Sequence, residues 1–293
     1  EASTAVTGTI LLSSGELAVT DAVDIQGPGP EVLAVDGDGA SRVFYMYLGS
    51  SVDITISGLT ISGGYASYGA GILVENDNLT LDNVIITDNE TYSFGGAGIY
   101  VGDGGQLTMR DSEISGNTAW DGYGGGLYIT SDGPSLIENT QITNNFAYDN
   151  GGGIEVYGMY GQLTILNCNI SGNSCYGDGG GLYIDTSASV VIENSTINNN
   201  VAGYMGGGLA VYYVSGSLDI RGSEISGNLA GYDGGGLYIG ESGGPITVER
   251  TRITNNTAYD DGGGVFMYWL GHETTFYKCT ISGNTAYDGG GVF

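Results

Sequence analysis

The chain has 293 residues, 41% apolar and only 13% charged, which supplies a sizeable core and excludes wholesale disorder. Glycine numbers 56 against 4 prolines, with no Gly-X-Y period, so collagen is excluded. Six basic residues against 33 acidic ones give a net charge of −27, which repels nucleic acid, anionic membrane and acidic polysaccharide alike.

The chain opens on Glu1-Ala2-Ser3 without an apolar leader, as a processed secreted protein would. Residues 1–50 read as an N-terminal cap and first coils, with Pro28 and Pro30 and less regular spacing. No apolar run approaches the length of a membrane span, so no membrane insertion is expected in this segment.

From Ile61 onward a motif, Ile-(Ser/Thr/Asn)-(Gly/Asn/Asp)-(Asn/Gly), restarts at Ile86, Ile114, Ile142, Ile170, Ile197, Ile225, Ile253 and Ile281, at spacings of 25 to 28 residues. A second motif, two small residues and Gly before an aliphatic residue, keeps the same period. Its last glycines run Gly71, Gly98, Gly126, Gly153, Gly181, Gly208, Gly236, Gly264 and Gly291. A locked period of this size means a solenoid, propeller or array. Each unit reads as three short strands, such as Gly181-Leu-Tyr-Ile184, Val190-Val-Ile192 and Ile197-Asn-Asn-Asn200, with apolar residues alternating at period two. A unit of 28 residues is too short for a propeller blade, and the leucine-rich frame is absent. The prediction is an all-β, right-handed parallel β-helix with one coil per repeat, about nine repeats over residues 51–293, and three strands per coil.

Equivalent residues of successive coils then stack in columns roughly 4.8 Å apart. Asn89, Asn117, Asn145, Asn173, Asn200, Asn228, Asn256 and Asn284 form one such column, expected to be structural, with amides bonding along the axis. The residue two before each motif Ile is small, including Cys168 and Cys279, four coils apart and beyond disulfide reach; with Cys175 the cysteines number three, an odd count that makes no disulfide framework. Asp121, Asp149, Asp178, Asp233, Asp260, Asp261 and Asp288 follow the turn aromatic and read either as turn residues or as a Ca²⁺ ladder, since stacked carboxylates need a counter-charge. Ca²⁺ is the one cofactor this pattern admits. Aromatics are expected in two exposed columns: Tyr92, Trp120, Tyr148, Tyr176, Tyr204, Tyr232, Tyr259 and Tyr287 on the turn, and Tyr100, Tyr128, Tyr183, Tyr238, Phe266 and Phe293 on the outward face of the first strand. The second stripe suits plain ring stacking, or sugar rings as a partner.

Catalytic constellations are poor. His272 is the lone histidine, the pair Asp260-Asp261 has no completing base, and Arg250, Arg252 and Lys278 cluster without an acidic or metal partner set. No enzyme is expected.

The unit Ile281-Ser-Gly-Asn-Thr-Ala-Tyr-Asp-Gly-Gly-Gly-Val-Phe293 resembles the repeat of the chlamydial polymorphic outer-membrane proteins. The opening, Thr9-Ile-Leu11 through Ile25-Gln-Gly-Pro-Gly29 to Gly58-Leu-Thr-Ile61, looks like that of bacterial β-helix surface proteins with variable anchors. The resemblance implies a secreted or cell-surface location. The function expected is an extracellular rod serving as scaffold, stalk or filament subunit. The alternatives are a carbohydrate-binding adhesin that uses the aromatic stripe, and a polysaccharide lyase or hydrolase. The clean final unit leads to the expectation of further coils beyond residue 293, or of a second copy stacked end to end.

Overall fold

The motif Ile-Ser-Gly-Asn is a complete instruction for one corner of a coil. In the computed structural model, which describes residues 7–47 and 51–293, the motif Ile points inward and is fully buried from Ile61 to Ile253. The next residue faces outward. The third must turn the chain in the left-handed region, and Asp88, Asn144, Gly172, Asn199, Gly227 and Asn255 all have φ between 53° and 66°, which only Gly, Asn and Asp adopt cheaply. The fourth is the column asparagine, turned back under the chain. The Glu1-Ala2-Ser3 opening and part of the cap lie outside the described residues.

Among the described residues thirty-nine strands make four parallel sheets stacked along the rod. Sheet 1 has ten strands, from Leu17–Val19 to Val265–Leu270, and sheet 2 has ten, from Val23–Gln26 to Thr274–Tyr277. Sheet 3 has eleven, from Gly8–Leu11 to Thr280–Ser282. The three expected strands per coil are joined by a fourth. Sheet 4 has eight strands and starts only at Tyr65–Tyr68, so the first coils are three-sided and the later ones four-sided. Most sheet 4 strands are two residues long, as in Thr118–Ala119 and Ser174–Cys175. Each contributes one small inward residue, and Ala119, Ala147, Cys175 and Ala202 pack with Ala97 in a minor core beneath the glycine turn. The main core is one continuous cluster of Ile, Leu, Val and Met from sheets 1 to 3. Register is exact, with Ile86 opposite Ile61 and Ile114, and so on to Ile281.

The column asparagines form an unbroken ladder. Asn173 Oδ1 accepts the backbone N–H of Asn145 and its Nδ2–H, both at 3.0 Å. Asn173 Nδ2 donates to Asn200 Oδ1 at 3.1 Å and to the Ile142 carbonyl at 2.8 Å. The same bonds repeat from Asn89 to Asn284. A second relay runs at the corner between sheets 2 and 3, where the Cys168 N–H donates to Ser195 Oγ and the Ser195 N–H to Ser223 Oγ.

The two motifs share a period because they touch. A Cβ on Gly181 would stand 2.9 Å from Asn200 Nδ2 and 2.6 Å from the Gly208 carbonyl oxygen, and Gly126, Gly153, Gly208, Gly236 and Gly264 meet the ladder in the same way. The ladder amide fits only against a bare backbone.

Replacing Asn173 with Ala orphans two buried donors of Asn145, each costing about 1–3 kcal/mol. Thermal unfolding of Asn173→Ala should show a clear loss of stability, and Gly181→Ala should match it by forcing the ladder aside; unchanged melting in both would refute the interlock. Burial lifts the Cys168 thiol to about 11 and raises that of Cys175 as well, while Cys279 is only partly covered. Alkylation of native protein at about pH 8 should therefore label Cys279 and spare the other two, since the thiolate is the nucleophile; mass spectrometry of the digest checks this.

Candidate functional site

The outward face of sheet 1 is not the exposed stripe that its alternation predicts. Tyr183, Tyr238 and Phe266 are buried to 6–8% exposure, and Tyr100 and Tyr128 are half-buried. Only Phe293 stands largely open, at 51%. The column is also interrupted, because in register it runs Leu73, Tyr100, Tyr128, Glu155, Tyr183, Ala210, Tyr238 and Phe266.

Two walls cover it. On one side the glycine turn rises with Tyr123, Asn150, Asp178, Met205, Asp233, Asp261 and Asp288 at equivalent positions, each just before a glycine with positive φ. These turns press on the column, since a Cβ on Gly179 would meet Tyr183 Cβ at 2.8 Å. On the other side the strand runs on past the core. Tyr157 is 50% exposed there, and Tyr212, Tyr268 and Trp269 are more so. A bulge between the pairs Ile184–Val211 and Asp185–Tyr213 admits Tyr212 as an extra residue, and its ring lies 6.4 Å from Tyr183. Bulges re-aim side chains in this way. The result is a groove along the rod with sheet 1 as its floor.

Three cavities lie in it. Tyr68, Phe94 and Tyr100 surround Glu75 in about 270 Å³. Tyr123, Tyr128, Asn150, Tyr157 and Tyr183 surround Glu155 in about 310 Å³. Tyr212, Tyr238, Tyr268, Trp269 and Gly240 surround Glu241 in about 200 Å³. Floor rings stack within the column, Tyr100 on Tyr128 at 5.2 Å and Tyr238 on Phe266 at 5.4 Å. Each cavity combines aromatic faces with one carboxylate.

Glu155 is the residue that reading the column as a run of aromatics passes over. It is 2% exposed, and its Oε2 has no hydrogen-bond partner. Burial first, then the charges of Asp149, Asp185 and Asp178, push its carboxyl well above the usual range. Burial also raises the phenols of Tyr128 and Tyr183, and Tyr100 to about 12. The signal was present in the sequence as the single charge in an otherwise apolar and aromatic column.

The seven aspartates do not make one ladder. Asp178, Asp233, Asp261 and Asp288 share the position before the left-handed glycine, Asp149 and Asp260 sit one residue earlier, and Asp121 precedes both. The turns differ in phase by one or two residues, so successive carboxylates align only over Asp233, Asp261 and Asp288. Two of them cap backbone donors one coil on, Asp178 Oδ1 accepting from Met205 N–H at 2.8 Å and Asp233 Oδ1 from Asp261 N–H at 3.1 Å. Among the described residues no three Asp, Glu, His or Cys side chains converge to hold a metal ion. The turn aromatics are staggered likewise; Tyr204 and Tyr232 stack at 5.3 Å, whereas Tyr148 meets Tyr176 edge-on. His272 is exposed in a turn, Arg250 pairs with Glu249 at 3.1 Å, and Lys278 lies over the Tyr277 ring.

A carboxyl raised in the folded state favours the neutral form, so it stabilises the fold most at acid pH and costs stability as pH rises through its folded value. Glu155, Asp149, Asp178 and Asp185 are all raised, by burial first. Glu155→Gln should therefore raise the melting temperature at about pH 8 and change it little at about pH 4. Equal effects at both values, read by calorimetry, would contradict the buried-acid assignment.

No curated protein and no solved structure matches the chain. A family described as the right-handed β-helix region matches residues 70–250, the stretch of regular coils that carries most of the ladder and of the groove. Among the described residues no helix is long and apolar enough to cross a membrane. With one coil per repeat, parallel register throughout and this match over more than half its length, the chain belongs to the right-handed β-helix family.

Proposed function

We propose that the chain is a rigid extracellular rod, a surface scaffold or stalk, that holds an extended glycan in the groove over sheet 1. One observation carries this reading: the same chemistry, aromatic faces around a carboxylate, occurs three times along one face, at Glu75, Glu155 and Glu241. Aromatic rings pack against the apolar faces of sugar rings, while carboxylates and phenols take their hydroxyls. At roughly 4.8 Å per coil, the stretch from Tyr100 to Tyr238 covers on the order of 24 Å, the reach of a short oligosaccharide. The rod's continuous backbone pairing pre-organises such a site, so little ordering is lost on binding. The net charge of −27 disfavours acidic glycans and leaves neutral or cationic ones. The surface location rests on the likeness of the Ile281–Phe293 unit to repeats of bacterial surface proteins.

The test is titration of the whole protein with neutral and amino oligosaccharides, alongside Tyr157→Ala and Trp269→Ala, whose rings are exposed. Losing one stacking ring costs about 1 kcal/mol, so each variant should bind several-fold more weakly. Absence of binding to every oligosaccharide would reduce the chain to a plain rod. New reducing or unsaturated ends after incubation with a polysaccharide panel would replace binding with catalysis.

A further inference from the structure

We infer that the central cavity takes an ammonium group, carried on an amino sugar of the bound glycan; this rests on the groove reading above and names its ligand. Glu155 sits in the column where neighbouring coils place Tyr128 and Tyr183, so no cation neighbours it along the column. Five of the six Lys and Arg side chains are engaged elsewhere, Arg42 with Glu16, Arg110 with Glu138, Arg221 with Asp219, Arg250 with Glu249, and Lys278 over Tyr277, and the sixth, Arg252, lies on sheet 3 in register with Glu224. A buried carboxylate without a positive partner is costly, and its Oε2 makes no hydrogen bond. A structural column would place an aromatic or aliphatic residue here, as the coils on either side do. The acid is retained at the base of an open cavity of about 310 Å³, at the lower end of the ~300–1,000 Å³ typical of small-molecule sites.

The surroundings select the ligand. Tyr123, Tyr128, Tyr157 and Tyr183 line the cavity, and ring faces attract a cation. Ammonium supplies up to three donors and a charge, whereas a hydroxyl supplies one donor and no charge. A hard metal ion would want six or more oxygen ligands, and the lining is chiefly aromatic. Asp149 and Asp178 from the turn and Asp185 from the next coil add to the negative field at Glu155. A neutral acetamide in place of the amine would leave that field unanswered. Binding of the cation favours the ionised carboxylate, so a proton leaves Glu155 as the ammonium enters.

The experiment is calorimetric titration with a glucosamine oligosaccharide, its N-acetylated counterpart, a glucose oligosaccharide and choline, each in two buffers of different ionisation enthalpy. The glucosamine series should bind more tightly than either neutral series by about tenfold, the ratio equivalent to ~1.4 kcal/mol, with proton release that the neutral series lack. Glu155→Gln should abolish both the preference of the glucosamine series over the neutral series and the proton release. Asp132→Asn removes the same charge from an exposed position and should keep both, which separates the pocket from general attraction to an acidic rod. Equal affinity for all three oligosaccharides, a preference that survives Glu155→Gln, or choline binding as tightly as the glucosamine series would overturn the amino-sugar assignment and leave the groove standing. Failure of every oligosaccharide to bind would overturn the groove reading itself.

Discussion

The contact between a ladder amide and a bare glycine backbone is the constraint on which the rest of this molecule depends. Asn200 can bond to Asn173, to Asn228 and to the Ile170 carbonyl only because Gly181 leaves room for its side chain. The amide consumes the polar groups where the chain turns from sheet 3 into sheet 4, so this corner is satisfied without water. Once it is fixed, the motif Ile must point inward and the coil must return in register. The 28-residue period is the length of chain needed to bring the next asparagine under the last.

The same constraint explains where sequence reading succeeded. Ile-Ser-Gly-Asn and the glycine run are each forced residue by residue, so fold, period and core columns stood out. The strands of sheet 4 did not, because two residues such as Thr257 and Ala258 are too short to show alternation. The turn aromatics and aspartates looked like columns because they recur once per coil, but the turns absorb one-residue differences that the ladder does not tolerate. Period in sequence is register in space only where something enforces it.

Burial of the outward face of sheet 1 was illegible for another reason. Alternation says which face of a strand points away from its own core. It does not say whether a second surface stands there. Here the glycine turn and the extended strands supply it, and residues such as Tyr183 and Tyr238 become a floor. Glu155 was the exception that marked the floor as more than packing: a charge between two rings has no structural reason in a rod whose other coils manage without one.

The ladder also has a direction. Every amide from Asn89 to Asn256 gives its hydrogen to the oxygen of the asparagine in the following coil, so the side-chain dipoles line up head to tail and polarise one another. A coil added on the C-terminal side must present an acceptor, and one added on the N-terminal side a donor. A gene segment encoding one coil meets both demands wherever it is copied, whereas the same coil reversed meets neither. Such a protein can lengthen or shorten by whole turns through tandem duplication and deletion, which makes its reach an evolutionary variable that changes in steps of one rung.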